Sequence, residues 1–216
     1  MTYTGAVSPG GPPDVRELPA LTITKLSVGP MDNNAYLLRC TDTAEQILID
    51  AANEPDRLLE LVGAGGLSTV VTTHRHDDHW MGLDAVVRAT GARSLAHEDD
   101  AAGIPVVTAT MRHGDTVGVG SCTLEVIHLV GHTPGSVALL YRDPAGHPHL
   151  FTGDSLFPGG PGRTTSPTDF TSLMDDLEAK IFEPLPDDTW FYPGHGNDST
   201  LGEQRADLAD WRARGW

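Results

Sequence analysis

Three histidines and two aspartates fall within seven residues, Thr73-His74-Arg75-His76-Asp77-Asp78-His79. Neutral imidazoles and ionised carboxylates are natural ligands for borderline divalent cations such as zinc. His74 and His76 are two apart, so on extended chain they point the same way. Asp78 and His79 follow on the bend, where they can face a second site close by. A divalent cation held there lowers the pKa of a bound water and supplies hydroxide at neutral pH, so the chemistry expected is metal-assisted hydrolysis. The cluster needs a rigid frame. It follows the apolar, β-branched run Thr69-Val70-Val71-Thr72, which reads as a buried strand. It precedes Trp80 to Thr90, which has the apolar spacing of a helix. Loops at strand ends in layered α/β folds are exposed yet firmly held, and ligands bind there.

Thr73 to His79 resembles the T-H-x-H-x-D-H signature of the metallo-β-lactamase fold superfamily. Further motifs of that family occur in order: Gly131-His132-Thr133-Pro134-Gly135, Thr152-Gly153-Asp154 and Tyr192-Pro193-Gly194-His195-Gly196. The likeness spans the chain from about Leu21 onward. It implies an αββα four-layer sandwich, α/β (α+β) in class: two mixed sheets face to face, helices outside, metals at one sheet edge. Pattern alone gives a single domain of α/β or α+β type. The resemblance also implies the ligands. One metal takes His74, His76 and His132, the second takes Asp78, His79 and His195, and Asp154 bridges them. Two divalent ions are expected, zinc first, with iron or manganese as alternatives. Asp78 and His79 also carry catalytic roles, Asp78 by orienting the attacking water. Asp50, closing Leu48-Ile49-Asp50, sits where the family often places a buried carboxylate that steadies the metal loops. Thr133 and Thr73 are expected to bond neighbouring ligand loops. His97, His113, His128, His147 and His149 match no motif and read as surface or hydrogen-bonded histidines.

The chain has 216 residues, a formal net charge of −16 and 39% hydrophobic residues. It can bury a real core, and its 24 Gly and 16 Pro suit turns and loops rather than a helical bundle. The acidity argues against a nucleic-acid backbone or an anionic membrane surface as partner. Cys40 and Cys122 lie in strand-like contexts and read as buried small hydrophobes. No run approaches a membrane span, and Met1 to Pro19 lacks the pattern of a secretory signal, so a reducing cytoplasm is expected. Residues 1–19, rich in Gly and Pro, read as a flexible arm ahead of one domain over 20–216.

Strands are expected over Leu21–Val28, Ala35–Cys40, Gln46–Asp50, Arg93–Ala96, Thr123–Val130, Ser136–Tyr141, His149–Thr152 and Trp190–Tyr192. Helices are expected over Pro55–Gly63, Asp169–Phe182 (capped by Thr168 or Asp169) and Gly202–Arg214, with a helical turn at His97–Ala102. Two β-rich then α segments, each delivering ligands, read as two similar halves.

Asp154 narrows the subfamily. Gly153-Asp154-Ser155-Leu156-Phe157, then Gly160-Pro161-Gly162-Arg163, resembles glyoxalase II-like and persulfide dioxygenase-like proteins. Arg163 sits where those families place a basic residue near the thiol conjugate, and could pair with a substrate carboxylate. Thr164-Thr165-Ser166-Pro167 lacks the aromatic of eukaryotic-type glyoxalase II, and the chain closes soon after His195, as in the shorter bacterial branch. The resemblance therefore implies a hydrolase of a small-molecule thioester, of S-2-hydroxyacyl-thiol type, with the thiol left open. The alternatives are a mononuclear iron persulfide dioxygenase, using His74, His132 and Asp154, and a lactone or β-lactam hydrolase.

Overall fold

The computed structural model describes residues 2–215. Its first sheet opens as an antiparallel meander of β1 (Asp14–Glu17), β2 (Leu21–Val28), β3 (Asn33–Cys40) and β4 (Gln46–Ile49). It continues in parallel through β5 (Thr69–Val71), β6 (Arg93–His97) and β7 (Ala109–Met111), so the seven strands follow chain order. Parallel neighbours need crossovers. Helix α1 (Pro55–Val62) joins β4 to β5, and α2 (Leu83–Thr90) joins β5 to β6.

The second sheet contains β8 (Thr116–Val119), β9 (Cys122–His128), β10 (Val137–Arg142) and β11 (Pro148–Gly153). A short hairpin follows, β12 (Leu156–Phe157) with β13 (Gly160–Pro161). Helix α3 (Pro167–Leu177) leads to β14 (Trp190–Pro193), which lies parallel to β11, and then to the edge strand β15 (Ser199–Thr200). Helices α4 (Leu201–Arg205) and α5 (Leu208–Arg214) follow.

Three buried clusters define the layers. Leu21, Ile23, Leu38, Ile47, Leu124, Leu139 and Phe151 fill the space between the sheets. Leu37, Leu48 and Val70 on the opposite face meet Leu58 of α1 and Val86 of α2. Leu140, Leu150 and Phe191 meet Leu173 and Leu177 of α3 and Trp211 of α5. Strands covered on both faces are buried at nearly every position, as in β3 and β4. This is the expected αββα sandwich. Cys40 and Cys122 are buried and unbridged.

Local departures from the sequence expectation have local causes. Helix α2 starts at Leu83, not Trp80, because Asp77–His79 form a 3-10 turn and Gly82 N–H donates to Ala51 O. The cap of α3 is Ser166, whose Oγ accepts from Asp169 N–H while Pro167 fills the first turn. The C-terminal helix is split after Arg205. Residues 2–19, expected as a flexible arm, touch the rest of the chain at several points. Asp14–Glu17 pair with β2, Tyr3 packs on Trp190 and Tyr192, and Gly5 is buried; Met1 lies outside the described residues. No helix among the described residues is long and apolar enough to cross a membrane.

Candidate metal centre

The candidate site lies at one end of the sandwich, in loops that leave strands of both sheets. His74, His76, Asp78 and His79 follow β5, and His132 follows β9. Asp154 and His195 follow the parallel pair β11 and β14. The two sheets are joined here, because Asn34 N–H donates to Gly194 O at 2.7 Å and Asn33 bridges to His195.

Ring nitrogens and carboxylate oxygens converge in two sets. His74 Nε2 lies 3.1 Å from His76 Nδ1 and 3.2 Å from His132 Nε2. His195 Nε2 lies 3.3 Å from both His79 Nε2 and Asp78 Oδ2. Asp154 reaches both sets: Oδ1 is 3.3 Å from His79 Nε2, and Oδ2 is 3.7 Å from His132 Nε2 and 3.5 Å from His195 Nε2. Ligands held tetrahedrally at zinc–nitrogen distances stand about 3.3–3.4 Å apart. The observed spacings bracket that value.

The imidazole tautomers point the same way. Nδ1–H of His79 donates to Asp50 Oδ2 at 2.8 Å, that of His132 to Arg163 O at 2.6 Å, and that of His195 to Met31 O at 2.9 Å. His74 Nδ1–H donates to Thr73 Oγ1, which in turn donates to Asp50. Four Nε2 atoms therefore face inward, each ring fixed from behind through Nδ1, which is how metal-binding histidines are held. Asp154 Oδ1 is buried with no aligned donor. Facing ring nitrogens and a carboxylate oxygen left without an aligned donor call for cations between them, so the donor set fits a divalent metal. A Cβ at position 194 would collide with Asp154 Oδ1 and His79 Cε1, so glycine is required there.

Two buried carboxylates brace the ligand loops. Asp50, in a left-handed conformation (φ 57°), accepts from Thr73 N–H, Thr73 Oγ1–H and His79. Asp100 was not singled out from the sequence. It accepts from Arg75 N–H, Thr133 Oγ1–H and Gly135 N–H, tying the His74–His76 run to the loop that carries His132. Its sequence signal is no more than one acid among several in a turn. Asn33 is also new: its Nδ2–H donates to Asp78 Oδ2 at 2.9 Å. The Arg163 side chain is exposed and lines a cleft of about 410 Å³ with Phe170 and Arg214. Of the unassigned histidines, His97 and His149 are buried. His97, Asp99 and His128 form a separate group, but the two rings stack at 3.8 Å and 24°, which keeps their in-plane lone pairs nearly parallel rather than convergent.

The charges are unevenly shared. Burial, aided by His79, holds His74 well below the ordinary imidazole range, and burial lowers His132. Burial also opposes protonation of His79, but Asp50 and Asp154 outweigh it and push that ring up to about 10. Burial raises the Asp154 carboxyl, yet His195 and His79 beside it hold it well below its usual value.

The layered αββα fold, with loops rich in histidine and aspartate gathered at one end, defines the class. The chain belongs to the metallo-beta-lactamase superfamily, whose family pattern matches residues 28–195. It is 35% identical over 165 residues to a hydroxyacylglutathione hydrolase of Polaromonas sp., covering 76% of this chain and 62% of that protein. The chain thus spans under two thirds of the length of that relative. Among solved structures, it resembles ETHE1 from Myxococcus xanthus (28% identity, TM-score 0.76, 88% of this chain and 84% of that one). It also resembles TTHA1623 in a di-iron-bound form (30% identity, TM-score 0.67, 84% and 96%).

Proposed function

We propose that this protein is a metal-dependent hydrolase of glyoxalase II type, cleaving an S-2-hydroxyacyl thioester of a small thiol at a dinuclear site. The observation that carries the reading is Asp154, whose two oxygens reach both nitrogen-rich sets while one of them is buried without a donor. His74, His76 and His132 would hold one divalent ion, Asp78, His79 and His195 the other, and Asp154 would be shared. Zinc suits this nitrogen and carboxylate set, and iron or manganese are the alternatives. When bound, such a pair of ions supplies an acidified water and polarises the scissile carbonyl.

The protein's own groups do the positioning. Asp78, half-buried at the mouth and steadied by Asn33, orients the attacking water. His79, backed by Asp50, fixes the floor of the second set. A thiolate leaves readily because thiol pKa values are near 8.5, so no strong general acid is required. Arg163, beside the cleft shared with Phe170 and Arg214, supplies a guanidinium for a carboxylate on the thiol. The unbridged Cys40 and Cys122 accord with a reducing compartment such as the cytoplasm.

The test is thiol release by the zinc-loaded protein from a 2-hydroxyacylglutathione and from the same acyl group on a carboxylate-free thiol. Turnover of the first, with weaker saturation by the second, is expected. No thiol release from either at two metals per chain, with oxygen uptake on a persulfide by a one-iron form, would replace this reading with the dioxygenase. Ring opening of a β-lactam or lactone in preference to both thioesters would replace it with the third.

A further inference from the structure

The strongest unassigned feature outside the ligand set is a buried ion pair behind His195. Lys25, on β2, and Asp198 both have side chains with no solvent exposure. The Lys25 ammonium uses its three donors fully, on Gly5 O, Gly196 O and Asp198 Oδ1, each at 2.7 Å. Asp198 Oδ2 in turn accepts from Tyr3 Oη–H at 2.6 Å and Trp190 Nε1–H at 3.0 Å. One cation thus joins the N-terminal segment, the first sheet and the loop that follows His195. Two of its three hydrogen-bonded neighbours, Gly196 and Asp198, lie 171 and 173 residues away in sequence, and Gly196 is the residue directly after His195.

The same loop is gripped from β3. Asn34 Nδ2–H groups donate to Pro193 O and Gly196 O, and Tyr36 Oη–H donates to Pro193 O. His195 itself is held by Met31 O. A buried charge pair is costly to assemble and strongly destabilising to break on one side. Retaining a lysine here, where an apolar residue would be cheaper, needs a gain in position.

We infer that Lys25, together with the N-terminal segment it captures through Gly5 and Tyr3, is a positioning device for His195, so that residues 2–5 govern occupancy of the Asp78–His79–His195 half of the centre. This rests on the dinuclear reading above. Partners behind a metal-binding histidine are worth about 10- to 100-fold in metal affinity, and a loss of that size is expected at this half alone. The His74–His76–His132 half, braced through Asp100, lies outside the network.

The experiment compares the full chain with three variants: Lys25→Met with Asp198→Asn, which removes the pair without stranding a charge; deletion of residues 2–5; and Tyr3→Phe. Zinc per chain and the affinities of both sites are measured by chelator competition, with His195→Ala as the reference for loss of that half. Imidazole nitrogen NMR of the metal-free protein reports the His195 Nδ1–H to Met31 bond. Expected are one tight zinc retained, the other weakened at least tenfold in the first two variants and less in Tyr3→Phe, and an altered His195 ring signal. Equal weakening of both zincs, or an unchanged His195 signal with unchanged affinities, overturns the inference. If the unaltered chain binds one zinc that His195→Ala leaves in place, the dinuclear reading fails separately. The ring signal then decides the positioning role alone.

Discussion

The two halves of the proposed centre are built on opposite electrostatics. In the three-histidine half, burial keeps His74 and His132 neutral at physiological pH, ready to offer lone pairs. In the other half, Asp50 and Asp154 overcome burial and push His79 up to about 10, and Asp154 likewise raises His195. Their supports differ as well. Asp100 braces the first half through Arg75, Thr133 and Gly135. Asn33, Met31 and the Lys25–Asp198 pair brace the second, largely from the β2–β3 hairpin. One half is preformed for a cation, whereas the other must release protons to receive one.

Removing the residue the halves share gives the largest effect. Asp154→Ala is expected to lose at least one metal and to lower turnover on the order of 10³-fold, measured by elemental mass spectrometry and thioester kinetics. Full metal content with full activity would show that the halves do not depend on Asp154.

Asp50→Ala tests the brace between them. It strands Thr73 N–H, Thr73 Oγ1 and His79 Nδ1–H, all now bonded to that carboxylate. Breaking such a buried charged network costs about 3–5 kcal/mol, read as a lower denaturant midpoint. A loss below about 1 kcal/mol would mean water replaces the carboxylate without penalty.

The electrostatic contrast sets a pH prediction. Because His79 binds a proton up to about pH 10, its half should weaken for metal as pH falls, by about tenfold per unit for one displaced proton. The three-histidine half should change little between pH 8 and pH 7, as judged by chelator competition. In the metal-free protein the sign is opposite. A raised imidazole pKa stabilises the fold fully below about 6.5, the unfolded value, and that contribution is lost as pH rises through about 10. Metal affinities that move in parallel for both halves would remove the contrast.

The smallest effect is expected from Thr133→Val, which deletes one hydroxyl from the pair of bonds to Asp100 and Ser136. About 1–2 kcal/mol of stability should go, with a modest loss of metal affinity in the three-histidine half and none in the other.

Much of this site is legible in the sequence because the local spacing of His74, His76, Asp78 and His79 fixes their geometry with few free torsions. The β-branched run before them and the turn glycines after the later strands likewise mark where strands end, but pattern alone gives only a domain of α/β or α+β type, and the αββα layering is what the family resemblance implies. Local pattern carries no record of partners far apart in the chain. Asp100 is an ordinary turn acid until folding sets it under the His132 loop, 33 residues from Thr133. Asn33 meets His195 across 162 residues, and Lys25 meets Asp198 across 173. The N-terminal segment looked loose because glycine and proline give it no periodic face. Its partners are Lys25 of β2, which donates to Gly5 O, and Asp198 of the loop before β15, which accepts from Tyr3. The sequence by itself determined which side chains could bind metal. Tertiary structure decided how they divide into two sets, which rings stay neutral, and what holds each set, because desolvation and charge pairing exist only once the sheets are face to face.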